Sequence, residues 1–348
     1  MTESPIRWRL ADDDGGKPTL FEEELECHPG TGEFRGMEFL HVRARRIINE
    51  VPAASRMPFQ YTINAYRGCS HSCSYCYARP THEYLNMNAG EDFEKRIVVK
   101  VNAVERLRAE LASKRWQGDH IAMGTNTDPY QRCEGKYRLT RGIIKELGAA
   151  RNPFSILTKG TLILRDLDVL TDAAKKTDVR ASFSIGTLDE EVWRTSEPGT
   201  PHPRKRVEAV AKLNEAGIPC GVLVAPILPG LSDSPAQLEE VVKAVLDAGA
   251  VSVSAIMLHL RPGVREQYMP WLEEVRPDLV DRYAALYPRS YAPKSEQEKL
   301  SRLVGSLRRK YGSSVPPTPP TSHPRTDRRT AAAKATPSAP APQLPLGI

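Results

Sequence analysis

The chain has 348 residues, of which 40% are hydrophobic and 26% are charged, and its formal net charge is +6. This composition can bury one large core or two modest ones, and the apolar stretches are too short and too broken to span a bilayer, so no membrane segment or membrane partner is predicted. The first residues lack the apolar segment of a secretory signal, which predicts a cytoplasmic protein with reduced cysteines.

Residues 1–55 mix acidic and basic runs without a clear period. They predict a short N-terminal extension that is a small addition to the main domain or a partly ordered segment leading into it. Residues 56–290 are predicted to form the core, residues 291–312 a C-terminal helical segment, and residues 313–348 a disordered basic tail. The tail is rich in Pro, Ala, Thr and Ser and has few large apolar residues, so burial cannot offset the entropy of ordering it.

Within the core, apolar runs of strand length alternate with segments of helix length. Strands are predicted at residues 61–66, 120–124, 154–158, 180–185, 221–225 and 251–258. Between them, residues 101–111 carry apolar side chains on one face, and Ser234-Pro235 and Gly249 mark the two ends of a later helix. The alternation predicts an α/β fold with a parallel sheet, whose functional residues directly follow the strands because those loops converge on one face.

Three cysteines directly follow the first predicted strand. Cys69, Cys73 and Cys76 have the spacing Cys-x3-Cys-x2-Cys and are interleaved with polar residues. A [4Fe–4S] cluster takes one thiolate per iron, so three protein ligands leave one iron open for a small molecule to chelate. The spacing therefore predicts cluster ligands and favours catalysis over electron storage.

A zinc site and a structural role in the core are two other interpretations of the cysteines. A zinc site could take His71 or His82 as a fourth ligand, but structural zinc sites usually bring their ligands in two separated pairs. Structural core cysteines would lie among apolar neighbours, and these do not. The zinc site is kept as the alternative.

The cysteine motif, with Tyr75 just before the third cysteine, resembles the signature of the radical S-adenosylmethionine (SAM) superfamily. Residues 61–66, 127–131 and 154–159 resemble more narrowly the branch related to spore photoproduct lyase. The resemblance extends over about residues 56–290 and implies a partial (β/α)6 TIM-like barrel of the radical SAM type. It also implies a [4Fe–4S] cluster, SAM bound to the open iron through its amino and carboxylate groups, and an electron donor such as flavodoxin or ferredoxin. In that family an electron from the cluster splits SAM into methionine and a 5′-deoxyadenosyl radical.

The resemblance also suggests contacts to SAM. Gly124, Thr125 and Asn126 follow the second predicted strand, where radical SAM enzymes hold the SAM amino group, and Gly124 would let the backbone approach a ligand closely. An ordinary polar loop is the alternative. Lys159, after the third strand, is expected to pair with the SAM carboxylate, and Ser184, on the fourth strand, to contact ribose or methionine.

The basic residues 204–206 could supply a guanidinium for the same carboxylate, although a solvated helix face is the alternative interpretation of that cluster. For Ser184 the alternative is a packed serine in a layer of small residues.

The catalytic residues are not identified by the sequence, and Asp128 and Cys133 are its only candidates. Asp128 is a candidate substrate contact. Spore photoproduct lyases of the well-known type use an additional cysteine, on the loop after the second strand, as a hydrogen-atom donor. Here residues 124–128 contain no cysteine and Cys133 comes later, which weakens a literal photoproduct-lyase assignment.

Two functions are compatible with these features. The first is a radical SAM enzyme with an unknown substrate, for which nucleic acid is one candidate. The alternative is a non-catalytic iron–sulfur or zinc-binding module with a regulatory or nucleic-acid-binding role. The slight basicity and the tail support the alternative, but no groove-reading motif or aromatic and basic platform is evident.

Overall fold

The computed structural model describes residues 25–52, 55 and 57–312, so the predicted disordered tail lies outside the described residues. The strands in this part of the chain are β1 (Glu26–Pro29), β2 (Glu38–Val42), β3 (Ile48–Glu50), β4 (Tyr61–Ile63), β5 (Tyr66–Arg67), β6 (Arg96–Lys100), β7 (Ile121–Met123), β8 (Phe154–Thr158), β9 (Val179–Ser184), β10 (Cys220–Ile227) and β11 (Val253–Met257). The helices are α1 (Glu91–Lys95), α2 (Ala103–Leu111), α3 (Glu134–Tyr137), α4 (Leu139–Ala149), α5 (Leu167–Ala174), α6 (Glu190–Ser196), α7 (Pro203–Glu215), α8 (Pro235–Asp247), α9 (Arg265–Val275), α10 (Val280–Leu286) and α11 (Lys294–Tyr311).

The larger sheet has the order β11-β10-β9-β8-β7-β4-β3. The strands from β4 to β11 in this sheet pair in parallel with their neighbours, while β3 pairs antiparallel with β4 at the edge. From β4 to β10, each parallel strand of this sheet is followed along the chain by helical segments before the next strand of the same sheet begins. The predicted α/β architecture, a partial (β/α)6 barrel, is therefore confirmed.

The first predicted strand differs from the observed one. Residues 61–66 were expected to form a single strand, but β4 ends at Ile63 and β5 begins at Tyr66 in a different sheet. That smaller sheet has the order β1-β2-β6-β5, with β2 and β6 parallel. One strand of the predicted extension, β2, thus pairs with a strand of the predicted core, β6, and β1 pairs with β2. The boundary at residue 55 stays a prediction.

The larger sheet has one apolar and one polar face. Ile63, Met123, Ile156 and Ala181 are aligned across neighbouring strands and are buried. Side chains alternate between the two faces of a strand. The opposite face, which we call the polar face, therefore carries half-buried or buried hydroxyl groups at Thr62, Ser155, Ser182 and Ser184.

Helix ends follow the predicted signals. Ser234 and Gln237 form a capping box at the start of α8, with Pro235 at its first turn, and Gly249 adopts a left-handed φ of +77° just beyond its end. The predicted C-terminal helix is observed as α11, which packs against α8 and β11. In the described part of the chain, no helix combines the length and the apolar character needed to cross a membrane.

Candidate functional site

The cysteine loop is held by its own backbone. Gly68, just before the first cysteine, has a φ of +80°, and a Cβ there would lie 2.9 Å from the Phe93 carbonyl oxygen. The Cys69 amide donates a hydrogen bond of 2.9 Å to the same oxygen, and Gln131 bridges the loop by accepting from the Ser70 amide and donating to the Gly68 carbonyl. Only glycine fits such a close left-handed approach, so the loop path is fixed before any ligand binds.

Arg79 is a part of this loop that sequence reasoning missed. Its guanidinium is buried and donates to the Cys73 carbonyl from Nε at 3.2 Å and from Nη2 at 3.0 Å. It also donates to the Ala89 carbonyl at 3.0 Å and pairs with Glu94. A buried arginine without its own motif gives no sequence signal, although its position three residues after the last cysteine places it on the same loop.

The three cysteines lie together as free thiols in the described structure. Cys69 and Cys73 are buried and Cys76 is half-buried. Burial raises the pKa of all three thiols, and for Cys69 the neighbouring Cys76 and Cys73 raise it further. Neutral buried thiols therefore become thiolates most readily when a metal centre binds them.

Three thiols on one loop form the donor set of the site. Although all three cysteines are in the described part of the chain, their sulfurs do not all lie within 4.8 Å of one another. Thiolates on one tetrahedral zinc would lie about 3.8 Å apart, given Zn–S bonds of about 2.3 Å, so the described arrangement is not a preformed zinc site. Three thiolates, one for each of three irons, are a donor set that suits a [4Fe–4S] cluster.

The histidines considered as a fourth zinc ligand contact other groups. His71 Nδ1 lies 3.4 Å from Asp128 Oδ2, and the His82 Nε2 lies 3.1 Å from the Arg96 carbonyl oxygen. Burial lowers the pKa of His82 to about 4, so this ring is neutral. Both rings support the loop through protein contacts.

Lys159 and Ser184, two of the predicted SAM contacts, lie side by side. Lys159 Nζ donates to Ser184 Oγ at 2.7 Å, and Ser184 Oγ in turn donates to the Ala225 carbonyl at 2.6 Å. The same ammonium lies 3.0 Å from Glu197 Oε1 and 5.5 Å from the centre of the Tyr75 ring. Lys159 therefore lies beside the cysteine loop with its charge already paired.

Glu197 joins several elements of the site. Its carboxylate accepts from the Tyr75 hydroxyl and lies 2.5 Å from Arg206 Nη2, and both Arg206 and Glu197 are buried. Arg206 is therefore not part of a solvated helix face, which was the alternative for residues 204–206. Arg206 also donates to the Ser184 carbonyl at 3.2 Å.

The charges around Glu197 favour its ionised form. Burial alone would raise the pKa of Glu197, but Arg206 and Lys159 outweigh it and bring the pKa down to about 2. Two cations thus face one carboxylate beside Cys73, and both lower the pKa of that thiol against the opposing effects of burial and Glu197. The positive charges of Lys159 and Arg206 stabilise negatively charged thiolates nearby. Tyr75 and Lys159, two partners of Glu197, follow other strands, so the sequence alone does not pair them with this carboxylate.

Asp128 holds the loop after β7 in place. Its Oδ1 accepts from Thr158 Oγ1 at 2.6 Å and from the Tyr130 amide at 2.8 Å, and its Oδ2 accepts from the Lys159 amide at 2.6 Å. Burial would raise the pKa of Asp128, but His71 and these hydrogen bonds lower it overall. A carboxylate with this many protein donors positions the site, and the expected substrate contact gains no support.

Gly124 is required by the neighbouring strand. Its φ is +83°, and a Cβ at this position would lie 1.8 Å from the Leu157 carbonyl oxygen of β8. The absence of a side chain is thus explained by packing, and close approach to a ligand stays a prediction. Tyr77 Oη donates to the Thr125 carbonyl at 2.7 Å, which ties this loop to the cysteine loop, and Asn126 Oδ1 is buried without a hydrogen-bond partner.

Cys133 lies outside this arrangement. It is fully buried in the apolar core at the start of α3, where burial raises the pKa of its thiol well above the usual value. The structure does not bring it to the polar face, so its role as a hydrogen-atom donor gains no support.

A pocket opens beside the cysteine loop and contains about 560 Å³ of space, open solvent at its mouth included. Thr62 and Asn64, which lie on the polar face at β4 and just after it, line one part of the pocket. Thr125 and Asn126 line another part, and the cations of Arg67 and Lys100 a third; the pocket is completed by Asn49, Glu50, Val51 and Phe59. The predicted SAM-binding loop therefore borders an open space.

The family model described as "Radical SAM superfamily" matches residues 63–259. An uncharacterized protein of Mycobacterium tuberculosis is 45% identical over 300 residues, which cover 86% of this chain and 88% of that protein. An uncharacterized protein of Methanocaldococcus jannaschii is 32% identical over 57% of this chain and 70% of its own length. Spore photoproduct lyase of Bacillus subtilis is 29% identical over 50% of this chain and 47% of its own length.

Solved structures of spore photoproduct lyase share the fold. The enzyme complexed with dinucleoside spore photoproduct aligns with a TM-score of 0.59 at 17% identity, over 78% of this chain and 79% of that chain. A variant with bound AdoMet and dinucleoside spore photoproduct aligns with a TM-score of 0.59 at 18% identity, over 78% of each chain.

Proposed function

Because the chain belongs to the radical SAM superfamily, whose cofactors are a [4Fe–4S] cluster and SAM, we propose that it is an enzyme that cleaves SAM reductively and acts on a nucleic-acid substrate. The observation that carries this proposal is the loop of Cys69, Cys73 and Cys76, three free thiols that are buried or half-buried and lie within eight residues of one another. When bound, the cluster and SAM supply a 5′-deoxyadenosyl radical that removes a hydrogen atom from the substrate. A reduced donor such as flavodoxin or ferredoxin in the cytoplasm provides the electron.

The residues of this chain hold and orient these groups. Cys69, Cys73 and Cys76 are the cluster ligands, and Arg79 keeps the loop fixed at the Cys73 carbonyl. Lys159 and Arg206 supply positive charge beside the thiolates, and Glu197 keeps both cations in place through its buried carboxylate. Thr125 and Asn126, which line the pocket, and Ser184, which lies on the polar face, are the proposed SAM contacts.

The nucleic-acid assignment is supported by the relatives. The Bacillus subtilis relative is a spore photoproduct lyase, and the neighbouring structure holds a dinucleoside photoproduct. The loop after β7 lacks a cysteine, and the nearest one, Cys133, is buried in the core. We therefore extend to this chain the substrate class of that enzyme and not its specific repair reaction.

The test is anaerobic reconstitution of the full chain with iron and sulfide, followed by reduction in the presence of SAM and chromatographic detection of 5′-deoxyadenosine. Cys69→Ala, Cys73→Ala and Cys76→Ala should each lose the cluster and the product. Cys27→Ala, which changes an exposed cysteine, is the matched control and should keep both. A wild-type protein that holds a stable cluster yet never cleaves SAM would instead be a non-catalytic cluster module.

A further inference from the structure

The pocket beside the cysteine loop is lined by two basic side chains that form no ion pair in the described part of the chain. Arg67 and Lys100 both line it, and neither side chain makes an ion pair or hydrogen bond with any residue in the described ranges. Lys100 is only 6% exposed. An ammonium group removed from water without a partner is costly, and two like charges in one pocket add to that cost.

The nearby carboxylates do not bond directly to these cations. The Glu110 carboxylate accepts from the Ile47 amide at 2.8 Å and from the Ile48 amide at 2.9 Å. Glu50 lines the pocket from an exposed position, and in the described structure no ion pair joins it to either cation. Arg67 and Lys100 therefore keep their hydrogen-bond donors available to an anionic group.

Two residues of the pocket lining have amide oxygens without a hydrogen-bond donor. Asn64 Oδ1 and Asn126 Oδ1 are buried and have no hydrogen-bond partner in the described structure. A simple anion such as sulfate has no N–H or O–H group to satisfy them, whereas a base or a sugar does. Phe59, which also lines the pocket, offers an aromatic face for stacking.

These groups together suit one class of ligand. An oxyanion would pair with the two cations, hydrogen-bond donors would satisfy the amide oxygen of Asn64, and a flat ring would stack on Phe59. A nucleotide unit has all three. The pocket borders Thr125 and Asn126, and the Tyr77 hydroxyl connects Thr125 to the cysteine loop, so a nucleotide bound there would lie next to the proposed SAM site.

We propose that Arg67 and Lys100 bind a backbone phosphodiester of the substrate, while Asn64 and Phe59 hold the attached nucleoside. The guanidinium of Arg67 offers paired donors that match two phosphate oxygens, and Lys100 adds a point charge. This assignment rests on the proposed function and names the part of the substrate that the pocket recognises.

The test measures binding of a DNA dinucleotide with one phosphodiester to the reconstituted full-length protein by calorimetry. The matched ligand is the same dinucleotide with a neutral methylphosphonate link, which removes the charge and keeps the shape. We expect the wild type to bind the phosphodiester at least tenfold more tightly than the methylphosphonate. Lys100→Gln and Arg67→Gln should each weaken phosphodiester binding about tenfold and reduce the discrimination between the two ligands. Lys114→Gln, an exposed lysine outside the pocket, should bind both ligands like the wild type.

Several results would overturn the assignment. Equal binding of the two dinucleotides by the wild type would show that charge is not recognised, and unchanged binding by both pocket variants would show that the cations are not used. Inorganic phosphate binding more tightly than the dinucleotide would identify a free-anion site. A matching tenfold loss of SAM affinity in Lys100→Gln and Arg67→Gln would assign the pocket to the SAM carboxylate.

A parallel series with the RNA dinucleotide identifies the sugar. Tighter binding of either the DNA or the RNA dinucleotide supports the phosphodiester assignment, provided that the methylphosphonate analogue with the same sugar binds weakly. SAM cleavage by the wild type without dinucleotide separates the two proposals. If the protein cleaves SAM but does not bind the phosphodiester, SAM cleavage stands and the phosphodiester site is ruled out. If it binds the phosphodiester but does not cleave SAM, the phosphodiester site stands and SAM cleavage is ruled out.

Discussion

Lys159 Nζ lies 3.0 Å from Glu197 Oε1, and this ion pair connects the loop after β8 with the segment after α6 beside the cysteine loop. Lys159 is expected to pair with the SAM carboxylate, and in this structure it already has a protein partner in Glu197. The pair leaves a third ammonium proton for a ligand, because two are used by Ser184 and Glu197. Lys159 can therefore contribute to SAM binding only as a positioned, partly neutralised cation.

Replacing Glu197 with Gln should destabilise the protein strongly. The change leaves Lys159 and the buried Arg206 without a counter-ion, and breaking a buried pair from one side costs about 3–5 kcal/mol. We expect the free energy of unfolding, measured by urea titration of the apo protein, to fall by about 3 kcal/mol. Glu190→Gln, which breaks an exposed pair with Arg194, is the control and should cost less than about 1 kcal/mol. Equal losses in the two variants would contradict a structural role for the Glu197 network.

Replacing Gly124 with Ala should also destabilise the fold. A Cβ there combines a left-handed φ with a 1.8 Å approach to the Leu157 carbonyl oxygen. Gly118→Ala is the matched control, because Gly118 has a φ of +75° but no neighbouring atom within 4 Å of its Cβ position. In thermal or urea unfolding, the control should lower the free energy of unfolding by about 1 kcal/mol because of backbone strain alone, and Gly124→Ala should lower it clearly more. Similar losses would mean that β8 moves aside at little cost.

Thiol alkylation should follow the burial of each cysteine. Cys27 is exposed, whereas Cys133 and Cys220 are fully buried in the core. In the native apo protein, mass spectrometry should detect iodoacetamide labelling of Cys27 first, and labelling of Cys133 and Cys220 only as fast as the protein unfolds. Labelling of Cys133 at the rate of Cys27 would show that this thiol is open to the site and would restore it as a hydrogen-donor candidate.

Phosphodiester binding should weaken as the pH rises. Burial and the charge of Arg67 lower the pKa of Lys100 to about 7, against the opposite effect of Glu110, and Glu50 is the other ionisable group that lines the pocket. The charged ammonium binds the anion, so affinity is highest below pH 7 and is lost as the pH rises through that value. Between pH 6 and pH 8 we expect a loss of up to about tenfold, because the charged fraction falls by that factor.

The DNA dinucleotide is the suitable probe, because its phosphodiester stays ionised over this range. Calorimetry of Lys100→Gln over the same pH range is the control and should give a flat profile. A flat profile in the wild type would mean that Lys100 does not contact the anion.

Much of the architecture could be read from local patterns. The strands β7 to β11 of the larger sheet overlap the predicted runs, because a buried parallel strand is a short apolar run bounded by turns and helices. The smaller sheet was missed, since β1 and β2 are short strands in a segment of mixed charge, and β2 pairs with β6, a partner more than 50 residues away. Such pairing depends on contacts that no local window contains.

The sequence by itself determined the family, the parallel α/β core and the cysteine loop, because each is encoded in residues that are close along the chain. Only the tertiary structure decided the partners of Lys159 and Asp128, the burial of Cys133 and the meeting of Arg67 with Lys100. These facts depend on which side chains converge at the carboxyl ends of the strands, and on which charges find a counter-ion there. A charged residue looks the same in a sequence whether it is solvated, paired or left for a ligand, and the physical difference arises only when folding removes the water around it.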